Sequence, residues 1–387
     1  MKKSILIITL LLIGLSLFSQ PQRIADSDTY WEFRNDTLFI TGTGDMPDYK
    51  TPEPNRPWEH ITSPCYLKIA DGITRIGESS FTELRNLIGT LEIPSSVTSI
   101  GHEAFFRTGF TGNLTIPSSV ISIETTAFSY CSGFTGDLNI PSSVTQLGSG
   151  AFLKCTGLDG TLTLSSSLTV MAGSTFSHCN FTGTLILPPS ITKIQGGDFV
   201  NCNGFTGTLT IPSSVSYIGS YTFEGCSGLT SLILPADLDS IEVRAFKGCI
   251  KLDTITNLNP TPITIDTSVF AGINKEACIL RVNTEYLSLY QQAPVWQDFL
   301  IEGVPGLKIK EIEKQDVHLF PNPVKDILNI QTVSTLEQVA FYDITGRIVK
   351  QFYHPNHELT ISDLPSGMYL VKIVTLEGES VRKIIKD

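Results

Sequence analysis

Residues 137–155 read DLNIPSSVTQLGSGAFLKC, and the same frame recurs along the middle of the chain. TLEIPSSVTSIGHEAF begins at Thr90, NLTIPSSVISIETTAF at Asn113 and TLTIPSSVSYIGSYTF at Thr208, with a period of 23 or 24 residues. Counting a divergent first copy at Leu67 and a last at Leu232, there are eight copies. Repetition at this period marks an architecture of stacked units.

Seven positions per copy are apolar or thiol, and their spacing gives the local structure. Leu138 and Ile140 lie two apart, as on one face of a strand. Pro141 ends that strand because proline has no N–H to give to a ladder. Val144 and Leu147 follow a Ser-Ser turn and begin a second short extended piece, and Phe152, Cys155 and Leu158 close the coil through a tighter turn. The same phenylalanine position runs through Phe81, Phe105, Phe128, Phe152, Phe176, Phe199, Phe223 and Phe246, and the thiol position through Cys131, Cys155, Cys179, Cys202, Cys226 and Cys249. One such coil cannot bury its apolar side chains alone. The copies must stack, with parallel strands about 4.8 Å apart. The fold expected is mainly β.

These copies resemble the leucine-rich repeats of the BspA-like family, also called the Treponema pallidum type. The shared pattern is L-x-[IL]-P-x-S-[VI]-x-x-I…AF…C, from Leu67 to Leu252. Departures are Ser165 for the proline, Thr108 and Leu84 for the cysteine, and Asp198 for the alanine before Phe199. The resemblance implies a right-handed leucine-rich-repeat solenoid of about eight coils over residues 67–252. It also implies a surface protein that binds host matrix proteins or other bacterial surfaces, in the manner of adhesins.

A solenoid exposes its core at both ends and needs caps. Residues 20–66 form an N-terminal leader and cap, with TLFITGTGDMPDY from Thr37 and apolar cover from Trp31, Phe33, Phe39 and Trp58. Residues 253–302 form the C-terminal cap: Cys278 to Val282 alternates like a last strand, and Tyr286, Tyr290, Trp296 and Phe299 have near-helical spacing, predicting a capping helix. At the front, Lys2 and Lys3 precede an apolar run from Ile5 to Phe18 and the small Ser19, which reads as a secretory signal peptide over residues 1–19. The run is shorter than the roughly 20 residues a spanning helix needs, so no transmembrane span is expected in the mature chain.

A linker over residues 303–315 leads to a different texture. Over residues 316–387, LFPNPVKDILNI, QVAFYDITGRIVK, LPSGMYLVKIV and VRKIIK read as strands around turns, which predicts a small antiparallel β-sandwich of about seven strands. This tail resembles the type A C-terminal sorting domain of the type IX secretion system of Bacteroidota. The motif residues are Pro321, Asn322, Pro323, Asp343, Gly346, Gly367, Tyr369, Lys383 and Lys386. The resemblance implies recognition by the secretion machinery, passage across the outer membrane, and a secreted or surface-displayed product.

Charged residues make up only 17% of the 387, and the net charge is −11. There is no basic patch with interleaved aromatics, so nucleic acid is not an expected partner. The cysteine column points every thiol the same way, which suits packed free thiols better than disulfide geometry. Neither the cysteines nor His60, His102, His178, His318, His354 and His357 form a metal or nucleophile–base constellation, so no catalytic, cofactor or metal site is expected. What remains is surface, with rows of short polar residues such as Thr90, Asn113, Asp137, Thr161, Thr184 and Thr208. The expected function is binding of an extracellular protein partner. A glycan-binding or glycan-processing protein and a structural surface-matrix component are the alternatives. Repeated aromatics fall in core columns, which argues against the glycan reading.

Overall fold

The computed structural model describes residues 20–25, 27–49, 55–307, 318–332, 335–343, 347–375 and 378–387. The expected signal segment, much of the expected linker and Gly346 lie outside them. The chain divides into two compact units, up to Leu307 and from Lys308 onward.

The first unit is a β-solenoid in which each coil supplies two short extended pieces. One set carries the Leu-x-Ile pair. Leu138–Asn139 lies parallel to Leu162–Thr163, with Leu138 opposite Leu162. Further on, Gly207–Thr210, Leu229–Leu234, Thr254–Asn257, Ile279–Asn283 and Leu300–Val304 form one parallel sheet, with Leu209, Leu232, Ile255, Leu280 and Ile301 in register. The second set follows the Ser-Ser turn. Ile76, Ile100, Ile123 and Leu147 align in one parallel ladder, and Met171, Ile194, Ile218 and Ile241 in another. Pro94, Pro117, Pro141, Pro188 and Pro212 do more than end strands. Each carbonyl accepts the N–H of the Val or Ile three residues later at 2.9–3.1 Å, which fixes the turn between the two pieces. Where Ser165 replaces proline, its carbonyl still accepts from Leu168, and its Oγ donates to Val144 O at 2.7 Å.

The phenylalanine column forms a continuous stack from Phe81 to Phe270, with ring centroids 5.2–5.8 Å apart and planes within 13° of parallel. Beside it runs the thiol column. Each buried thiol donates to the phenylalanine carbonyl of the preceding coil, as Cys155 to Phe128 O, Cys179 to Phe152 O and Cys202 to Phe176 O, all at 3.1 Å. Thr108, standing in for a cysteine, donates from Oγ1 to Phe105 O and lies 3.3 Å from Cys131 Sγ.

The N-terminal cap imitates a missing coil. In the interior, Ser79, Phe81 and Glu83 donate their N–H groups to His102 O, Ala104 O and Phe106 O of the next coil. The equivalent carbonyls of the first coil have no preceding coil. They are taken instead by Tyr49 N–H (Glu78 O, 2.9 Å), Trp58 Nε1 (Ser80 O, 3.1 Å) and the buried Arg56 Nη1 (Thr82 O, 2.7 Å). Trp58 also heads the ring stack, 5.7 Å from Phe81.

The C-terminal end differs from expectation. The repeat continues past Leu252: Phe270 extends the ring stack, and strand Leu300–Val304 runs into the expected linker. The expected capping helix is broken into a 3-10 turn at Thr284–Tyr286, a short helix Leu287–Tyr290 and a second 3-10 turn at Trp296–Asp298. Pro294 cannot continue a helix, and Val295 takes a left-handed φ of 71°. Trp296 and Phe299 nevertheless close the stack, packing edge-on against Phe270.

The second unit has two antiparallel sheets on one core. His318–Phe320, Ile327–Gln331 and Glu358–Thr360 form the smaller. Ile348–Tyr353, Leu336–Tyr342, Gly367–Thr375 and Gly378–Lys386 form the larger, in that order. Leu328, Ile330 and Leu359 from one sheet meet Val339, Phe341, Val371, Ile373 and Ile384 from the other.

Candidate functional sites

The second ladder of the solenoid is interrupted between Leu147 and Met171. Elsewhere Gly101, Glu124, Gly148, Gln195, Gly219 and Glu242 each donate an N–H to the preceding coil at 2.8–3.1 Å, but Ala172 makes no such backbone bond to Leu147. The turn that follows this gap is altered by Asp198, one coil further on. In regular coils the N–H groups of Ala104, Ala127, Ala151 and Ala245 close their own turn, donating to Gly101 O, Glu124 O, Gly148 O and Glu242 O. Thr175 gives its N–H to Asp198 Oδ1 instead (3.1 Å), and Gly173 does the same (3.0 Å). Gly173 meanwhile takes φ 95°, a value that suits glycine. Asp198 thus ties this coil to its successor, while Gly173 O and Thr175 O still accept from the Gly150 and Phe152 N–H groups of the predecessor.

A half-open groove of about 440 Å³ occupies the gap. Ile123, Leu147 and Val170 give it an aliphatic floor, Thr125, Thr145, Gln146 and Thr169 supply hydroxyl and amide groups, and Glu124 and His102 stand at one end. Glu124 is held in place by the His102 N–H at 3.0 Å and by Arg75 at 3.6 Å. Asp198 itself is fully buried, and burial pushes its pKa up to about 7 against the opposing pull of its two N–H donors. Its Oδ2 and Thr175 Oγ1 have no hydrogen-bond partner.

A second feature follows the turns. Coils from Ser79 to Gly248 hold two residues of the tight turn in the left-handed region, four apart. The second of each pair is Glu83, Arg107, Tyr130, Lys154, His178 and Asn201, then Gly225 and Gly248, with Gly272 in the same place in the last coil; the first includes Ser79, Glu103, Thr126, Ser174, Tyr221 and Arg244. A non-glycine residue costs about 1–2 kcal/mol there, and the last three coils use glycine at the second position. The other side chains at that second position are ordered against each other. Arg107 stacks over Phe106 (4.9 Å) and Tyr130 (4.8 Å), and Lys154 lies over Tyr130 (4.9 Å). Glu83 accepts from Arg107 at 2.8 Å and from Arg85 at 3.3 Å. His178 lies between Ser177 Oγ (2.8 Å) and Asn201 Nδ2 (3.1 Å), with burial and the nearby Lys154 lowering its pKa. These aromatics stand outside the core columns, where sequence reading had looked for them.

The thiols are poor nucleophiles. Burial pushes Cys131 up to about 11 and Cys202 and Cys249 up to about 12, so thiolate is scarce at neutral pH. No group of three or more His, Cys, Asp or Glu side chains among the described residues could hold a metal ion.

In the tail, the described motif residues gather at one end of the larger sheet. Gly367 is paired with Lys386, and Tyr342, adjoining Asp343, is paired with Leu370. Asn322 clamps the final strand, accepting from Ile385 N–H (2.8 Å) and donating to Lys383 O (3.1 Å). Pro321 and Pro323 flank it, and the Val324 N–H donates to Ile385 O at 2.8 Å. Tyr369 is buried and donates its hydroxyl to Pro365 O, and Asp343 Oδ1 accepts the Arg347 N–H. The Lys386 ammonium reaches Asp387 O.

The BspA-type leucine-rich repeat region matches residues 60–182 and 160–279, and the secretion system C-terminal sorting domain matches residues 318–387. No curated protein matches the chain. Similar solved structures include a leucine-rich repeat protein from Bacteroides ovatus (18% identity, 73% of this chain and 89% of that one, TM-score 0.43). Another comes from Eubacterium ventriosum (21%, 64% and 93%, TM-score 0.37), and a third is the T. pallidum leucine-rich repeat protein (20%, 61% and 86%, TM-score 0.33). No helix among the described residues is long and apolar enough to cross a membrane.

Proposed function

The chain belongs to the BspA-type leucine-rich repeat family, and from that premise we propose that it is a non-enzymatic, adhesin-like protein whose solenoid binds an extracellular protein partner. The sorting domain marks it as an exported product, secreted or held at the cell surface. In this reading the tail delivers the chain through the type IX machinery, and the machinery reads a folded surface. The motif residues lie far apart in sequence and meet only through the strand pairing and the Asn322 clamp.

The observation that carries the binding role is the groove at the interrupted ladder. Elsewhere on that side, ladder bonds join each coil to the next. Here side chains from successive coils line a recess with an aliphatic floor and hydroxyl and amide walls. That mixture suits a protein surface, where apolar contact supplies affinity and a few polar groups fix orientation. The test is binding of the purified full chain to immobilised extracellular matrix proteins and to intact cells of other bacteria. Thr145→Arg and Thr169→Arg fill the groove with charge, whereas Ile186→Asp alters an exposed side chain elsewhere. The reading expects at least a tenfold loss of binding from either groove variant and none from the control. Binding indifferent to the groove variants would sink it.

A further inference from the structure

We propose that the left-handed stripe through Arg107, Tyr130 and Lys154 is a second ligand site, separate from the groove, and that it takes an acidic polysaccharide. The two surfaces share no lining residue.

The backbone supplies the first argument. Gly225, Gly248 and Gly272 show that the turn is made at no cost by glycine, which has no Cβ to crowd the following carbonyl. Arg107, Tyr130, Lys154 and His178 hold the same conformation against that preference in four successive coils. Strain of this kind persists where the side chain is needed. Nothing these side chains do serves the core, since they stand on the outer side of the turns while the phenylalanine and thiol columns fill the interior.

The second argument is charge and its spacing. Glu83 contacts both the Arg85 and Arg107 guanidiniums, and Lys154, over the Tyr130 ring, forms no ion pair among the described residues. The stripe is therefore net positive on a chain whose overall charge is −11. Tyr130 lies between the Arg107 guanidinium and the Lys154 ammonium, so the ring fixes both cations one coil to either side of itself. Each guanidinium carries five N–H donors and gives Glu83 only one. Beside them opens a half-open recess of about 360 Å³ walled by Arg85, Arg107, Tyr130 and Ser132.

The third argument concerns which polyanion fits. Arg107 and Lys154, two coils apart on either side of Tyr130, suit a polymer bearing acidic groups at regular intervals. Uncharged donors and acceptors accompany them in the recess and along the stripe: Ser132, His178 with its lowered pKa, and Asn201. A polysaccharide with carboxylate or sulfate groups offers both the anions and the hydroxyls that such a mixture recognises. An acidic peptide offers carboxylates and backbone amides, but not the hydroxyls that each sugar unit carries.

The test uses the full chain and four probes: heparin, polygalacturonate, neutral dextran and poly-glutamate. Binding is followed by calorimetry at low and at physiological salt, because exposed cations are screened as ionic strength rises. The decisive variant is Arg107→Gly with Lys154→Gly. It removes the two cations and at the same time gives the turns their preferred residue, so the melting temperature should hold or rise while polysaccharide binding falls at least tenfold. Thr145→Arg in the groove should leave polysaccharide binding intact, which separates this site from the protein-binding reading. The proposal is overturned if neither acidic polysaccharide binds, if the double glycine variant binds as well as the parent, or if dextran competes equally. Tighter binding of poly-glutamate than of both polysaccharides would also overturn it, and would assign the stripe to an acidic protein.

Discussion

Asp198→Asn should stabilise the solenoid at neutral and alkaline pH and do little in acid. The Asp198 carboxyl has an ordinary value of 3.8 in the unfolded chain and about 7 in the folded one, because burial disfavours its charged form. Below about pH 4 both states are protonated and the group contributes nothing. Between 4 and 7 the unfolded chain releases its proton while the folded one keeps it, so stability falls as pH rises, by about 1.4 kcal/mol per pH unit. Above 7 the loss is complete and constant, at roughly 4 kcal/mol, an upper value because relaxation and water entry soften burial. Asparagine keeps the Oδ1 acceptor for Gly173 and Thr175 but has no proton to lose. Its amide takes the place of Oδ2, beside the Thr175 hydroxyl, to which it can donate. The assay is urea unfolding of parent and variant at pH 5, 7 and 8.5, with amide exchange at Gly173 and Thr175 as a local readout, since stacked repeats need not unfold in one step. Taking the difference between the two proteins cancels the other titrating groups. The expected gap is about 1.5 kcal/mol at pH 5 and grows by up to about 2.7 kcal/mol by pH 8.5. A gap that does not change between pH 5 and 8.5 would refute the buried, protonated carboxyl.

Two further outcomes follow from the thiol column and the tail. In the folded protein the column cysteines should resist iodoacetamide at pH 8 for hours and react fully in denaturant, because each thiol is buried, hydrogen-bonded to a phenylalanine carbonyl and raised in pKa; rapid modification of the native chain, read by intact mass, would contradict that packing. Asn322→Ala removes both side-chain bonds to the final strand, so the tail should lose about 1–2 kcal/mol of stability, and in the native cell the chain should accumulate in the periplasm; unchanged export, read by fractionation, would separate the clamp from sorting.

Much of the fold was legible because a stacked architecture writes its core as columns. Leu138 opposite Leu162 and Phe152 stacked on Phe128 follow directly from a period that places like on like. The far end was legible only in part. Phe270 lies 24 residues after Phe246 and Gly272 24 after Gly248, a signal sequence reading could have used, but the polar stretch after Leu252 hid the added coil. Arg56 was missed for another reason. A buried arginine that answers the carbonyls of a coil end has no periodic partner, so only the three-dimensional row of acceptors reveals it. Asp198 is visible in the sequence as a departure from alanine, but its hydrogen-bond partners are not. Its effect is exerted on the preceding coil, through Gly173, and the opening appears one coil earlier still.

That displacement bears on how function is written into a repeat. The columns are buried and bonded coil to coil, so they determine the scaffold and offer nothing to a partner. Recognition has to come from positions where a coil breaks the pattern, and both candidate surfaces arise there by different physics. At the groove a buried carboxyl takes the N–H that would close a turn, beside the interrupted ladder between Leu147 and Met171. At the stripe no bond is broken; the turn keeps its shape, and Arg107, Tyr130 and Lys154 accept a backbone conformation better suited to glycine. The two should therefore respond in opposite ways when each position is given the residue its backbone favours. Returning Asp198 to the column's alanine frees the Thr175 N–H to close its own turn and should narrow the groove, whereas placing glycine along the stripe leaves every coil in register and strips only its charge.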